Sequence, residues 1–88
     1  MDISFNKILL LPPSVGFLEN LVELDCRSNR LKSIPEELKK CKQLKTLLLY
    51  KNDISVLPDI FMSFQKLETL DLGFKTFFLI WFIWNLFF

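Results

Sequence analysis

Histidine is absent from this chain of 88 residues. With it go the side chain that most often serves as a general base near neutral pH and the commonest metal ligand. Glycine occurs only twice, at Gly16 and Gly73, so no glycine-rich loop is present to cradle a phosphate. The two cysteines, Cys26 and Cys41, do not make a disulfide framework in a chain without a recognisable cleaved leader. Neither has the partners that a nucleophile or a zinc site needs. An excess of charge of one sign is also missing. Eleven Lys and Arg against ten Asp and Glu leave a net charge of +1, which excludes the cationic field that draws nucleic acid. The length bounds the chain to one small domain. At 51% hydrophobic and 24% charged residues, it is too apolar to remain a disordered tail. Catalysis is not expected, and no cofactor is called for.

What is present is distributed unevenly. Six of the ten Phe and both Trp fall between Phe74 and Phe88. From Phe77 onward only Asn85 is polar. The chain therefore divides into residues 1–73, which have the balance of an ordinary protein, and an aromatic segment, 74–88.

The first segment repeats. Leu21, Leu44 and Leu67 stand 23 apart, as do Leu24, Leu47 and Leu70, and Cys26, Leu49 and Leu72. Asn29 pairs with Asn52, Leu31 with Ile54, Pro35 with Pro58 and Cys41 with Phe64. Carried backwards, the frame places Asn6, Ile8, Leu11, Pro12, Val15 and Leu18 on the same columns. A fixed period of this length is the signature of stacked coils, each covering the apolar edge of the last. Within Leu24-Asp25-Cys26 the first and third side chains point to one face of a short strand and the second to the other. Leu and Cys go inward and Asp faces out. Pro35 suits the first position of a short helix, with Glu36 and Glu37 at its positive end and Lys39, Lys40 and Lys42 toward its negative end. The three-residue spacing of Leu38, Cys41 and Leu44 keeps one side of that turn inward, and Ile60 to Lys66 is expected to behave alike.

The runs LVELDCRSNRL and KTLLLYKNDI carry the LxxLxLxxNxL pattern and resemble leucine-rich repeat proteins. The units are similar to the 23-residue intracellular class found in Ras-pathway and Scribble-type scaffolds. The resemblance implies an α/β fold: a short solenoid with a parallel sheet on its concave face and short helical or 3-10 segments on its convex face. It also implies that Asn6, Asn29 and Asn52 form a structural ladder of buried amides, which stops at Lys75 because an ammonium cannot accept a hydrogen bond.

Outward strand positions of successive coils line up into columns on a rigid frame, and such faces bind partners. One column holds Asp2, Asp25, Leu48 and Asp71; a second holds Glu23, Thr46 and Thr69; a third holds Ser4, Arg27, Tyr50 and Gly73. Arg and Tyr are frequent interface anchors. The expected partner-binding residues are Glu23, Asp25, Arg27, Thr46, Leu48, Tyr50, Thr69 and Asp71, taking a protein or peptide. The acidic positions favour a basic one. Asp25 and Asp71 share a column but lie on an open face that offers no pocket to tune a carboxylate pair, so glycoside hydrolysis is excluded.

The segment TFFLIWFIWNLFF, Thr76 to Phe88, is apolar at every period. As a helix its last twelve residues reach about 18 Å, short of a hydrocarbon layer of about 30 Å. Trp81, Phe82 and Trp84 suit membrane or partner contact at an interface. Thymine-rich codons write the same composition, as a retained intron or a shifted frame does. The reading is a non-catalytic, cytoplasmic interaction module or scaffold fragment in signal transduction. The alternative is a small protein held peripherally on a membrane by its aromatic end.

Overall fold

The computed structural model of the chain describes residues 1–54, 60 and 63–73. Three strands, β1 (Glu23–Asp25), β2 (Thr46–Leu48) and β3 (Thr69–Asp71), form a parallel sheet in chain order. The register is that of the repeat: Leu24 opposes Leu47, and Leu47 opposes Leu70. Asp2 bridges Asp25 in the same sense, so the first coil adds its own short rung at the sheet's edge.

The first coil and the β1 and β2 coils leave the sheet through a left-handed residue. Phe5, Ser28 and Lys51 have φ of 57°, 57° and 58°, one residue per coil at the same position of the repeat. None is glycine, although this region costs an L-residue roughly 1–2 kcal/mol. The Asn that follows each one, Asn6, Asn29 or Asn52, bonds the carbonyls on the strand side of the turn and holds it closed.

The return path runs through 3-10 turns at Pro13–Phe17 and Glu36–Lys40. Pro12 and Pro35 are their N-caps, so Pro35 stands one residue before the position expected for it. Its missing N–H and extended ψ still suit the entry. Glu36 and Glu37 fall in the first turn and Lys39 and Lys40 in the last, as the charge order suggested. The two turns pack closely through Gly16. A Cβ there would lie 2.8 Å from the Glu37 carbonyl oxygen, and only a residue without one lets the two backbones approach. The third return path, Ile60 to Lys66, falls partly outside the described residues. Ile60 itself is buried.

Between sheet and 3-10 turns lies the core. Leu24, Cys26, Leu31, Leu38, Cys41, Leu44, Leu47 and Leu49 are essentially solvent-free, each burial removing about 1.5–3 kcal/mol of exposed apolar surface for a Leu. Leu72 is buried and Leu70 packs partly buried against the cluster. All six residues of the inner columns thus converge. The first coil differs. Phe5 and Phe17 are 78% and 81% exposed, and Leu9 and Leu10 are also open, on columns that the next coil fills with Ser28, Lys40, Lys32 and Ser33.

Candidate functional site

The three outward columns form as the spacing predicts. Asp2, Asp25, Leu48 and Asp71 are register partners across four rungs, and Glu23, Thr46 and Thr69 across three. Beyond the strands, Phe5 N–H donates to Arg27 O and Ser28 N–H to Tyr50 O, each at 2.9 Å. The Ser4, Arg27, Tyr50 column therefore stays in step. All eight expected binding residues stand on one open face.

Their chemistry is not uniform. Asp25 lies on that face yet is only 6% exposed. The Arg27 guanidinium folds back over it, donating from Nε to Oδ1 at 2.9 Å and from a terminal nitrogen to Oδ2 at 2.8 Å. The side chain expected to offer a free acidic spot is covered by its neighbour, and the two charges cancel. The Asp25 carboxyl is held below the usual carboxylate range, first by these Arg27 side-chain bonds; desolvation works the other way. Arg27 is correspondingly raised by Asp25, and Asp2 and Asp71 act on it in the same direction. Among the described residues of this face Asp2, Glu23 and Asp71 form no ion pair, and the Met1 ammonium bonds the Glu23 carbonyl oxygen at 2.7 Å.

This pair has a pH signature. Because the folded state depresses the Asp25 pKa, its contribution to stability is complete above the unfolded value near pH 4 and is lost as pH falls through the folded one. Arg27→Ala removes the cover and both guanidinium bonds and leaves Asp25 with only the residue-27 backbone N–H, so it should lower the urea midpoint at pH 6. The gap to the parent chain should narrow below about pH 4, where Asp25 protonates. A gap that stays constant from pH 6 to pH 3 would show that Asp25 does not carry it.

Tyr50 is seated by the next coil. A Cβ on Gly73 (φ 71°) would come within 2.6 Å of the Tyr50 ring, so the ring lies along the bare backbone of Gly73. Lys51 Nζ stands 5.7 Å from its centroid, within cation–π range. A half-buried aromatic fixed in this way presents its hydroxyl edge with little rotamer freedom left to lose.

The Asn ladder separates into two kinds. Asn29 donates to Ile3 O and Cys26 O and accepts from Ile8 N–H. Asn52 donates to Cys26 O and Leu49 O and accepts from Leu31 N–H. Each ties two coils together. Asn6 is exposed and bonds only Ile3 O and Ser4 O of its own coil. Lys75, and with it the expected end of the ladder, lies outside the described residues, as do Trp81, Phe82 and Trp84. No described helix is long and apolar enough to cross a membrane.

Both thiols are free and buried. Burial, with the nearby Asp25 charge, pushes the Cys26 thiol up to about 12, and burial also raises Cys41. Cys41 spends its proton on Val15 O at 3.3 Å. Such thiols pack; they do not attack.

One recurring device was not anticipated. Asp2, Asp25 and Asp71 each turn Oδ1 onto the backbone N–H two residues on, at Ser4, Arg27 and Gly73. The signal was the Asp at one repeat position, an Asx turn closing the strand. In β2 that position is Leu48.

Residues 19–58 match the family described as "Leucine Rich repeats (2 copies)". A leucine-rich repeat protein of Leptospira interrogans has a solved structure that superposes with a TM-score of 0.74 at 40% identity, over 76% of this chain and 17% of that one. Human PH domain leucine-rich repeat-containing protein phosphatase 1 is 30% identical over 74 residues, 83% of this chain and 4% of its own length. Human volume-regulated anion channel subunit LRRC8E is 42% identical over 72 residues, 68% of this chain and 9% of its own. The chain belongs to the leucine-rich repeat family, in its 23-residue class. It spans less than a tenth of the curated relatives it matches.

Proposed function

We propose that this repeat unit binds a protein or peptide on the concave face of a short solenoid, the sheet forming that face and the 3-10 turns the convex one. The supporting observation is the Tyr50 ring seated on Gly73, a half-buried aromatic on the same row of strands as Thr46 and Leu48 and in step with Arg27. Because the face is narrow, affinity is modest, below that of interfaces burying about 800 Å² per partner. The module acts as a scaffold element in a reducing, cytoplasmic setting, a reading supported by two buried free thiols; its resemblance to signalling scaffolds supports a place in signal transduction.

The test uses peptides selected from a displayed library on the immobilised chain. Tyr50→Ala and Thr46→Arg should each weaken capture about tenfold or more, with unchanged far-UV circular dichroism. Lys39→Glu, on the convex side, should have no effect. Loss of capture with Lys39→Glu but not with the other two would place the contact elsewhere. Peripheral membrane contact through Trp81, Phe82 and Trp84 rests on the composition of 74–88; equal liposome co-sedimentation of the full chain and of a version ending at Gly73 would remove it.

A further inference from the structure

On the sheet face Tyr50 N–H has no acceptor among the described residues, and the reason lies in the ladder of amides behind it. Thr46 N–H donates to Val22 O. The alternation of a parallel sheet carries that series on to Tyr50 N–H and Cys26 O. Cys26 O, however, is taken by the Asn29 and Asn52 side chains, at 3.0 and 2.9 Å. The same diversion occurs in the neighbouring coils, where Ile3 O is held by Asn6 and Asn29 and Leu49 O by Asn52. There the displaced N–H groups of Arg27 and Gly73 are recaptured by Asp25 and Asp71, at 3.1 Å each. In β2 the residue at that position is Leu48, which has no oxygen to offer. Tyr50 N–H, whose counterparts at Arg27 and Gly73 are reached by the outward Asp side chains, has no acceptor among the described residues.

Resting on the concave-face reading above, we infer that Tyr50 N–H receives a backbone carbonyl of an extended, basic peptide. A partner that covers this spot must bring an acceptor or strand the donor. An extended peptide brings one, with an apolar side chain for Leu48 on one side. Its charge follows from the surroundings. Arg27 is neutralised by Asp25, whereas Asp71, next to Leu48 in the register, spends only Oδ1 on Gly73. With the Met1 ammonium on the Glu23 carbonyl and the Lys51 ammonium over the Tyr50 ring, the acidic contact falls to Asp71, whose second oxygen selects Lys or Arg. Leu48 is thus the departure from the repeat that opens the site, and Asp71 the group that reads its ligand.

The substitution Leu48→Asp restores the missing cap. It should slow hydrogen exchange of the Tyr50 amide toward the rate of the Arg27 amide. Three displayed libraries of extended peptides, one rich in Lys and Arg, one in Asp and Glu and one uncharged, are selected against the full chain. The basic library should be enriched, and its best binder should lose about tenfold on Leu48→Asp, even though the new carboxylate attracts it. Leu48→Asn supplies the same cap without charge and should lose as much. Undiminished binding by both variants would overturn the donor's role while leaving the face reading intact, provided Tyr50→Ala still weakens capture. Enrichment of the acidic or uncharged library would overturn the basic occupant. Enrichment of none would overturn this inference and the binding reading together.

Discussion

Leu47→Ala is expected to destabilise the fold by about 2–5 kcal/mol, a large share of the roughly 4–13 kcal/mol that a chain of this length has in total. Leu47 is solvent-free and sits on the middle strand, flanked by Leu24 on one side and Leu70 on the other. Truncation removes transfer free energy and leaves a cavity, because the backbone on both sides is pinned by the sheet and cannot collapse inward. The position also couples the stack. In a repeat protein each coil is stabilised mainly by its neighbours, and Leu47 belongs to both interfaces at once. A urea titration followed by circular dichroism should show the midpoint falling well below that of the parent. Leu10→Ala, at a side chain 65% exposed, is the comparison and should shift it by no more than the equivalent of about 0.5 kcal/mol. Equal midpoints for the two variants would mean that the inner column is not where the fold's stability resides.

The inner column was readable before any coordinates because two periods reinforced each other. Alternation within Leu24-Asp25-Cys26 gives the direction of each side chain, and recurrence every 23 residues gives the neighbour on the next strand. Together they fix the register, since a slip of one residue would turn Leu24 and Cys26 of the β1 coil to solvent and Asp25 into the core. Other features were invisible for reasons just as physical. That Asp25 is covered depends on which way the Arg27 side chain folds, a rotamer choice with no counterpart in the repeat pattern. The left-handed residues Phe5, Ser28 and Lys51 share a column but no chemistry, and glycine, the usual marker, stands at none of them. The Asx caps were encoded in plain sight as Asp2, Asp25 and Asp71. Reading them required asking where each strand's last N–H finds its acceptor, not which face its side chain adorns. Leu48 then reads differently. It stands among the expected partner contacts; it is also the absence of a cap.

Asn52→Ala should cost about 1–3 kcal/mol, Asn29→Ala somewhat less, and Asn6→Ala under about 0.5 kcal/mol. The order follows from what each amide leaves behind. Leu31 is fully buried, and its N–H bonds the Asn52 oxygen at 3.0 Å, so truncation strands a donor that water cannot reach. The Ile8 N–H served by Asn29 is on a partly buried residue with a longer bond of 3.2 Å. Asn6 serves only carbonyls of its own exposed coil. Urea midpoints of the three variants test the gradient, and three equal losses would refute a ladder built on contacts between coils. The isosteric Asn52→Asp sharpens the point. Its carboxylate could still accept from Leu31 N–H, but its other oxygen would face the carbonyls of Cys26 and Leu49, which the Asn52 amide meets at 2.9 Å. Repulsion there raises the folded-state pKa of the substituted carboxyl, so the variant should gain stability relative to the parent as pH falls through that raised value. That recovery runs opposite to the acid sensitivity conferred by Asp25. The amide of Asn52 is required because it donates and accepts at once, and a carboxyl can do so only with its proton on.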